Sequence, residues 1–422
     1  MYIDNIVLKN FRTFRAASID FVHPDQSFDD LDFPRPKLRN VNLLLGNNGA
    51  GKSALLKAIA LSALGPAVGR AGIYPYRFVR REPISAGTSK TGRPPTPSGA
   101  AASISSSFST HAQDQLTPGT RLLSTIEIRR TGDLDVIDWV PGDADASWEP
   151  IFSEKSDAFF FVGYGATRRV EQRDNFDPGT RRSRSFTRAQ RVLGLFEDSY
   201  SLAPLNSWLP VYMTQNPGRY KQVLGLVDKL LGRGHFRFTG EMEDGEYVFE
   251  RSGLRVPFPA MSDGYRAFLG WVGDLLYHVC ETCPPGKKLV ENRGIVMIDE
   301  IDLHLHPKWQ LRVLPTLAAA LPKIQFIVTS HSPLIVGSLE WSNIIVMRPA
   351  VRQASRLERI ESAVHGLDAD QVLLTEFFGL ETTRAPAKAK ELKDLTLMAR
   401  GGDADAALKV LQQMSKGTES AS

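Results

Sequence analysis

The sequence predicts an α/β fold, with antiparallel strands at the N-terminus and a helical subdomain joined to a strand-rich core. Three observations predict it. Residues 40–45 (NVNLLL) are a short apolar run, residues 46–53 a glycine-rich loop, and residues 54–64 (ALLKAIALSAL) have helical periodicity. Residues 294–298 (GIVMI) and 324–329 (IQFIVT) are apolar throughout, as in strands buried on both faces. Residues 2–8 (YIDNIVL) alternate like a strand, and residues 17–22 (ASIDFV) give a second.

The remaining elements follow in chain order. Residues 23–39 are a polar, proline-containing loop. Residues 83–120 are dominated by Gly, Pro, Ser, Thr and Ala, which predicts a low-complexity insertion without a core of its own. Residues 122–130 and 134–140 form a hairpin, and 159–162 (FFFV) a buried strand. Residues 168–191 carry eight arginines against three acids. Residues 192–232 read as helical, 235–239 and 246–251 as another hairpin, and 265–280 as a long amphipathic helix. Residues 343–347 suggest one more strand. Two polar helices, near 386–399 and 403–415, close the chain. The expected organisation is therefore 1–82 as the first part of the core, 83–120 as the insertion, 121–260 as hairpins, arginine-rich loop and helical subdomain, 261–348 as the rest of the core, and 349–422 as a helical tail.

Composition sets limits. The chain has 422 residues, 42% of them hydrophobic and 23% charged, ordinary values for a globular protein. A net charge of +4 neither demands nor excludes nucleic acid. No apolar run approaches the roughly 18–20 residues of a spanning helix, and the first residues lack a signal-peptide layout. A cytoplasmic location with no membrane partner is expected. Cys280 and Cys283 form a lone C-x-x-C. A zinc site takes about four ligands, so two reduced thiols are the simpler reading.

The loop Gly46-Asn47-Asn48-Gly49-Ala50-Gly51-Lys52-Ser53 fits G-x-x-x-x-G-K-[ST] and sits between strand and helix, where such a loop cradles phosphates. Its glycines let successive N–H groups turn toward a phosphate chain. The helix start adds partial positive charge. Lys52 reaches for the β- and γ-phosphates, and the Ser53 hydroxyl for Mg²⁺. The ligand class is a nucleoside triphosphate.

Three further groups follow in order. Met261-Ser262-Asp263-Gly264 precedes the helix 265–280. A Ser hydroxyl and a Gly N–H at a helix start make an anion site, while Ser262 or Asp263 is also a plain N-cap. With one phosphate site already present, a second needs a phosphate from elsewhere. Asp299 and Glu300 end the GIVMI strand, where one carboxylate would coordinate Mg²⁺ through water and the other deprotonate an attacking water. His331 directly follows the IQFIVT strand. Ligands bind at the carboxyl ends of parallel strands, and a neutral imidazole there would contact the γ-phosphate.

Together these motifs resemble an ABC-type ATPase of the SMC/RecF/OLD branch. IDNIVLKNFRTF resembles the branch's first strand, GNNGAGKS its Walker A and MSDGYR its signature. GIVMIDE resembles its Walker B, IDLHLHP its D-loop and TSHS its switch histidine. The resemblance covers residues 2–347 in family order. It implies an ABC-type P-loop ATPase head, with ATP and Mg²⁺ as cofactors. It also implies a head-to-head dimer, or a higher oligomer, in which two ATPs lie between the Walker A of one copy and the signature of the other. Ser262 and Gly264 then act in trans, Asp302 lies at the dimer seam, Glu300 is the catalytic base and His331 the switch.

Some features depart from the pattern. Asp263 replaces a glycine familiar in transporter signatures and must point away from a γ-phosphate. Gln113, Gln115 and Gln172 are all candidates for the Q-loop, none compelling. Pro315 falls in the helix after the D-loop, where a kink is expected. His304 and His306 form an H-x-H pair weighed as a metal site and set aside. The run Arg168–Arg191 is open to a nucleic acid, a protein partner or solvent, and Arg168 or Arg169 lies close enough to the FFFV strand to approach the nucleotide.

The chain resembles stand-alone ATPases of bacterial anti-phage systems (Septu, PARIS, retron-linked). By that resemblance, ATP-dependent dimerisation controls a separately encoded effector such as a nuclease or toxin. No sustained heptads occur, and fewer than eighty residues follow the last core strand, too few for a fused nuclease. The alternative is a RecF-like clamp that closes on DNA through the arginine run. A scaffold with little turnover also survives, whereas NFRTF, SDGYR and DLHLHP argue against a transporter subunit.

Overall fold

The computed structural model describes residues 1–28, 31–73, 77–81, 101–131, 134–140, 148, 150, 158–170, 187–232, 236–349 and 354–415. They fall into two units, Met1–Gly366 and Leu367–Ser422.

The first unit is built on two sheets. One contains β1 (Tyr2–Phe11), β2 (Phe14–Asp20), β4 (Ala101–Ser109), β5 (Arg121–Thr131) and β6 (Leu134–Val140) in the order β2-β1-β4-β5-β6, all antiparallel. The other is six-stranded. Its order is β16 (Arg356–Glu358), β15 (Ile344–Arg348), β3 (Val41–Gly46), β14 (Ile324–Ser330), β13 (Gly294–Ile298) and β7 (Phe161–Tyr164). Five of these strands are parallel, and only β16 runs against its neighbour. β3, β13 and β14 are buried on both faces apart from the half-buried Gly46, which explains their unbroken apolar character.

Helix α1 (Lys52–Leu64) lies between the sheets. Apolar side chains of α1 share one core with Ile6, Ile104 and Ile126 from the first sheet and Leu44, Met297 and Ile327 from the second. A helix covered on both sides is buried nearly all round, as α1 is.

The rest of the unit is largely helical. A two-stranded pairing joins β8 (Arg169–Val170) to β9 (Ser201–Leu202). Helices α2 (Leu205–Gln215) and α3 (Pro217–Leu231) follow. A meander of β10 (Arg237–Glu243), β11 (Glu246–Arg251) and β12 (Leu254–Pro257) leads into the long α4 (Asp263–Thr282). After β13 come α5 (Pro307–Gln310), α6 (Val313–Ala320) and, after β14, α7 (Pro333–Gly337). The second unit contains α8 (Ala369–Leu374), α9 (Pro386–Arg400) and α10 (Ala404–Ser415), close to the two terminal helices expected.

Several expectations are corrected. The 83–120 insertion is not structureless, because Ala101–Ser109 is the middle strand of the antiparallel sheet. Its sequence, ASISSSFS, alternates after its first residue. Ala102, Ile104, Ser106 and Phe108 face the core while Ser103, Ser105, Ser107 and Ser109 alternate outward, and the backbone ladder needs no large side chains. Residues 82–100 lie outside the described residues. The stretch 192–232 is α-helical only from Leu205, as two helices broken at Asn216, and the second hairpin has a third strand. Pro315 interrupts the helix rather than kinking it. The chain breaks between α5 and α6, so Pro315 falls in the first turn of α6, where its missing N–H is not needed. The tail begins later than residue 349, since Arg356–Glu358 belongs to the main sheet.

Candidate nucleotide site

The order of the parallel sheet brings the sequence motifs together. β3 ends in the glycine loop, and β14 beside it ends in Ser330-His331. β13, next again, ends in Asp299-Glu300, and β7 at the edge leads to Arg168. All four lie at the carboxyl ends of adjacent strands.

The loop has the backbone a phosphate cradle requires. Gly49 and Gly51 have φ of +79° and +104°, in the region that favours glycine. A Cβ at Gly46 would sit 2.4 Å from the Met347 carbonyl oxygen, and one at Gly51 2.4 Å from Thr13 Oγ1. Residues 12 and 13 form the turn between β1 and β2, so the NFRTF segment presses directly on the loop. Asn47, Asn48, Gly49 and Ser53 are exposed, whereas Ala50 is buried.

Lys52 folds back over the loop. Its Nζ donates to Gly46 O at 2.7 Å and Asn47 O at 3.3 Å, and lies 2.7 Å from His331 Nε2. Burial lowers the Lys52 pKa, opposed by the carboxylates of Asp299, Glu300 and Asp302. Burial also lowers that of His331, and the Lys52 charge adds to the effect. The lowered His331 pKa fits a neutral imidazole whose Nε2 accepts from the Lys52 ammonium.

The Walker B pair is held by its neighbours. Thr329 Oγ1 donates to Asp299 Oδ1 at 2.6 Å and accepts from Glu300 N–H at 2.7 Å. The Asp299 N–H donates to Tyr164 O at 2.8 Å, and Ile301 N–H to Thr329 O at 3.0 Å. Arg168 reaches across from β7. Its Nη1 donates to Asp299 O at 2.6 Å and to Gly165 O at 3.3 Å, and Nη2 to Glu300 O at 2.9 Å. Burial lowers the Arg168 pKa, opposed by Asp299, Asp302 and Glu300. Glu300 itself has φ +48°.

The sequence motifs gave no role to Thr329 or Tyr164, and left Arg168 open between several surroundings. Of the glutamines considered for the Q-loop, Gln113 is engaged with Asn292 and the Arg293 N–H, and Gln172 lies outside the described residues.

The signature residues are placed elsewhere. Ser262 and Gly264 line a cavity of about 280 Å³ with Tyr265, Phe268 and Trp309, and none of residues 46–53 borders it. Ser262 occupies the N-cap position of α4 without a side-chain cap bond, so its hydroxyl is not spent on its own helix. Asp263 is exposed and pairs with Arg266 in its own helix, as a carboxylate kept from a phosphate should. Gly264 abuts the D-loop, where a Cβ would lie 2.9 Å from His304 O. Asp302 Oδ1 is buried with no hydrogen-bond partner among the described residues. No group of three or more His, Cys, Asp or Glu suited to a metal occurs among the described residues, and Cys280 and Cys283 are buried and form no disulfide.

The donor set fits a magnesium nucleotide: a glycine cradle, a buried ammonium, an exposed hydroxyl at a helix start and a carboxylate at the next strand but one. Of the eight arginines in 168–191, Arg168 and Arg188 are turned inward, the latter donating to Ala158 O at 3.1 Å. Arg173, Arg181, Arg182 and Arg184 lie outside the described residues. No helix among the described residues is long and apolar enough to cross a membrane.

Comparisons with known proteins agree with the motifs. The chain is 24% identical over 389 residues to a Septu protein PtuA of Bacillus mycoides, covering 90% of this chain and 45% of that protein. It is 32% identical over 103 residues to the "Retron Ec83 probable ATPase" of Escherichia coli, covering 24% and 19%. The chain thus spans less than two thirds of the length of these curated relatives. The SMC head domain from Thermotoga maritima aligns over 86% of this chain and 100% of its own, with 16% identity and a TM-score of 0.46. The family described as "AAA domain, putative AbiEii toxin, Type IV TA system" matches residues 41–337, and the chain belongs to it.

Proposed function

We propose that this chain hydrolyses ATP, and that ATP-driven head-to-head association of two copies controls a separately encoded effector in bacterial anti-phage defence. The observation that carries the reading is the split of the motifs. The glycine loop, Asp299-Glu300 and His331 converge at one end of the sheet, while Ser262 and Gly264 line a different cavity. A second copy supplies what one copy lacks.

In this reading the N–H groups of residues 47–53 and Lys52 bind the phosphates. Lys52 leaves His331 Nε2 for the phosphate, which frees the imidazole to contact the γ-phosphate. Ser53 and Asp299 would hold Mg²⁺, which neutralises phosphate charge when bound. Glu300 accepts the proton of the attacking water. Ser262 and Gly264 of the opposite copy close the site and exclude water, and the unpartnered Asp302 oxygen accepts a donor across the seam. The Septu and retron names of the relatives support the defence role.

The test compares wild type with Glu300→Gln in multi-angle light scattering, with and without ATP, beside steady-state hydrolysis. Slow turnover and an ATP-stabilised dimer are expected for Glu300→Gln. Unchanged turnover removes Glu300 as the base, and a monomer with saturating ATP removes the sandwich. The RecF-like reading rests on the arginine run, and it gains if DNA stimulates hydrolysis with a steep salt dependence.

A further inference from the structure

We propose that Arg168 is the positioning residue of the hydrolytic site: with Thr329 it clamps the Asp299-Glu300 dipeptide and holds Glu300 in its left-handed backbone conformation. The inference rests on the reading of Glu300 as the base.

A non-glycine residue at φ +48° is strained and persists only where its surroundings over-determine it. Here two side chains do so from opposite sides. From β14, Thr329 binds the Asp299 carboxylate and the Glu300 N–H. From beyond β7, the two guanidinium nitrogens of Arg168 take the carbonyls of Asp299 and Glu300. The dipeptide thus has both carbonyls, one N–H and one carboxylate oxygen fixed by two side chains. A planar fork can serve two consecutive carbonyls at once, and an ammonium cannot match it. Arg168 also spans to Gly165 O, which ties the turn after β7 to the same cluster. No carboxylate lies within ion-pair distance of Arg168 among the described residues, so its charge is used on backbone oxygens. The edge strand β7 therefore contributes to the site through an arginine, at the place where a glutamine was sought.

The experiment uses the full chain with Arg168→Ala, Arg168→Lys and, as control, Arg169→Ala. Steady-state hydrolysis is read as kcat and KM, and mant-ATP binding as Kd. For Arg168→Ala, kcat falls ten- to a hundred-fold while KM and Kd stay within about threefold. Arg168→Lys stays impaired, and added guanidinium restores Arg168→Ala at least fivefold. Hydrogen exchange of a peptide covering residues 299–305 reads the clamp without catalysis, and it rises in Arg168→Ala but not in Arg169→Ala. Unchanged kcat or unchanged exchange in Arg168→Ala overturns the proposal, as does a folded, ATP-binding Arg168→Ala that guanidinium cannot rescue. If Glu300→Gln turns over like wild type while exchange rises in Arg168→Ala, the reading of Glu300 as base has failed and the clamp stands.

Discussion

Replacing Asp274 by alanine should unfasten α4 from the parallel sheet. Asp274 is fully buried in the middle of that helix. Its Oδ1 accepts from Ala203 N–H at 2.7 Å, and its Oδ2 from the Tyr164 hydroxyl at 2.9 Å. His278 Nε2 lies 3.3 Å from the same Oδ2. Both donor residues are almost fully buried, Tyr164 at 2% and Ala203 at 0% exposure, so water cannot replace the lost acceptor. Each orphaned donor costs about 1–3 kcal/mol, which gives about 2–6 kcal/mol for Asp274→Ala. Asp274→Asn keeps one carbonyl oxygen for Ala203, and the Tyr164 hydroxyl can turn to accept from the new amide. About 1–2 kcal/mol is expected there. Tyr164→Phe should lose about 1 kcal/mol, and combining it with Asp274→Ala should add little, because the two changes remove the same bond. The assay is urea unfolding followed by circular dichroism, with the denaturant slope checked for constancy. A loss below about 1 kcal/mol for Asp274→Ala, or full additivity with Tyr164→Phe, would refute the argument from buried donors.

Other expectations follow from the site. Gly46→Ala puts a Cβ 2.4 Å from a backbone oxygen of β15, so the strands must separate; about 1–3 kcal/mol of stability and most nucleotide binding should be lost, read by thermal melting and mant-ATP titration. Gly49→Ala meets open space and should lose only about 1–2 kcal/mol through its left-handed backbone. Gly264→Ala puts a Cβ 2.9 Å from the backbone oxygen of His304, so the D-loop must shift; thermal melting should show a loss of stability, and ATP-driven association measured by light scattering should weaken. Thr329→Val keeps the shape and leaves Glu300 N–H and Asp299 Oδ1 without their partner, so kcat should fall, checked by steady-state hydrolysis. The lowered pKa of His331 keeps the imidazole neutral to below its ordinary value. Any acid limb in kcat from His331 should therefore lie below pH 6.5, because activity is present above the folded pKa and is lost as pH falls through it. His331→Gln should remove that limb in a pH–rate profile.

Much of the site was legible because phosphate chemistry imposes tight local spacing. A glycine loop between strand and helix is written in consecutive residues, as are the DE pair and the TSHS segment. Their order along the chain also specified the fold class. What stayed hidden depends on strand order. β7 pairs with β13, far later in the chain, and only that pairing separates Arg168 from the other arginines. Thr329 was quoted within its motif but given no role, because it acts sideways on the neighbouring strand rather than on a ligand. β4 was missed because serine-rich composition outweighed a visible period-two pattern; its serines hide how well backbone pairing and three apolar residues suffice in a middle strand. Pro315 misled because the break between α5 and α6 cannot be placed by periodicity.

The position of β3 has a consequence for how the protein is made. Its two neighbours in the sheet are β14 and β15, which begin at residues 324 and 344. The walls that shape the glycine loop emerge from the ribosome roughly 280 residues after it, a separation that slows folding. The phosphate cradle of a nascent chain therefore cannot be completed until β14 and β15 have been translated. Products truncated before β14 carry the phosphate-loop sequence without the strands that shape it.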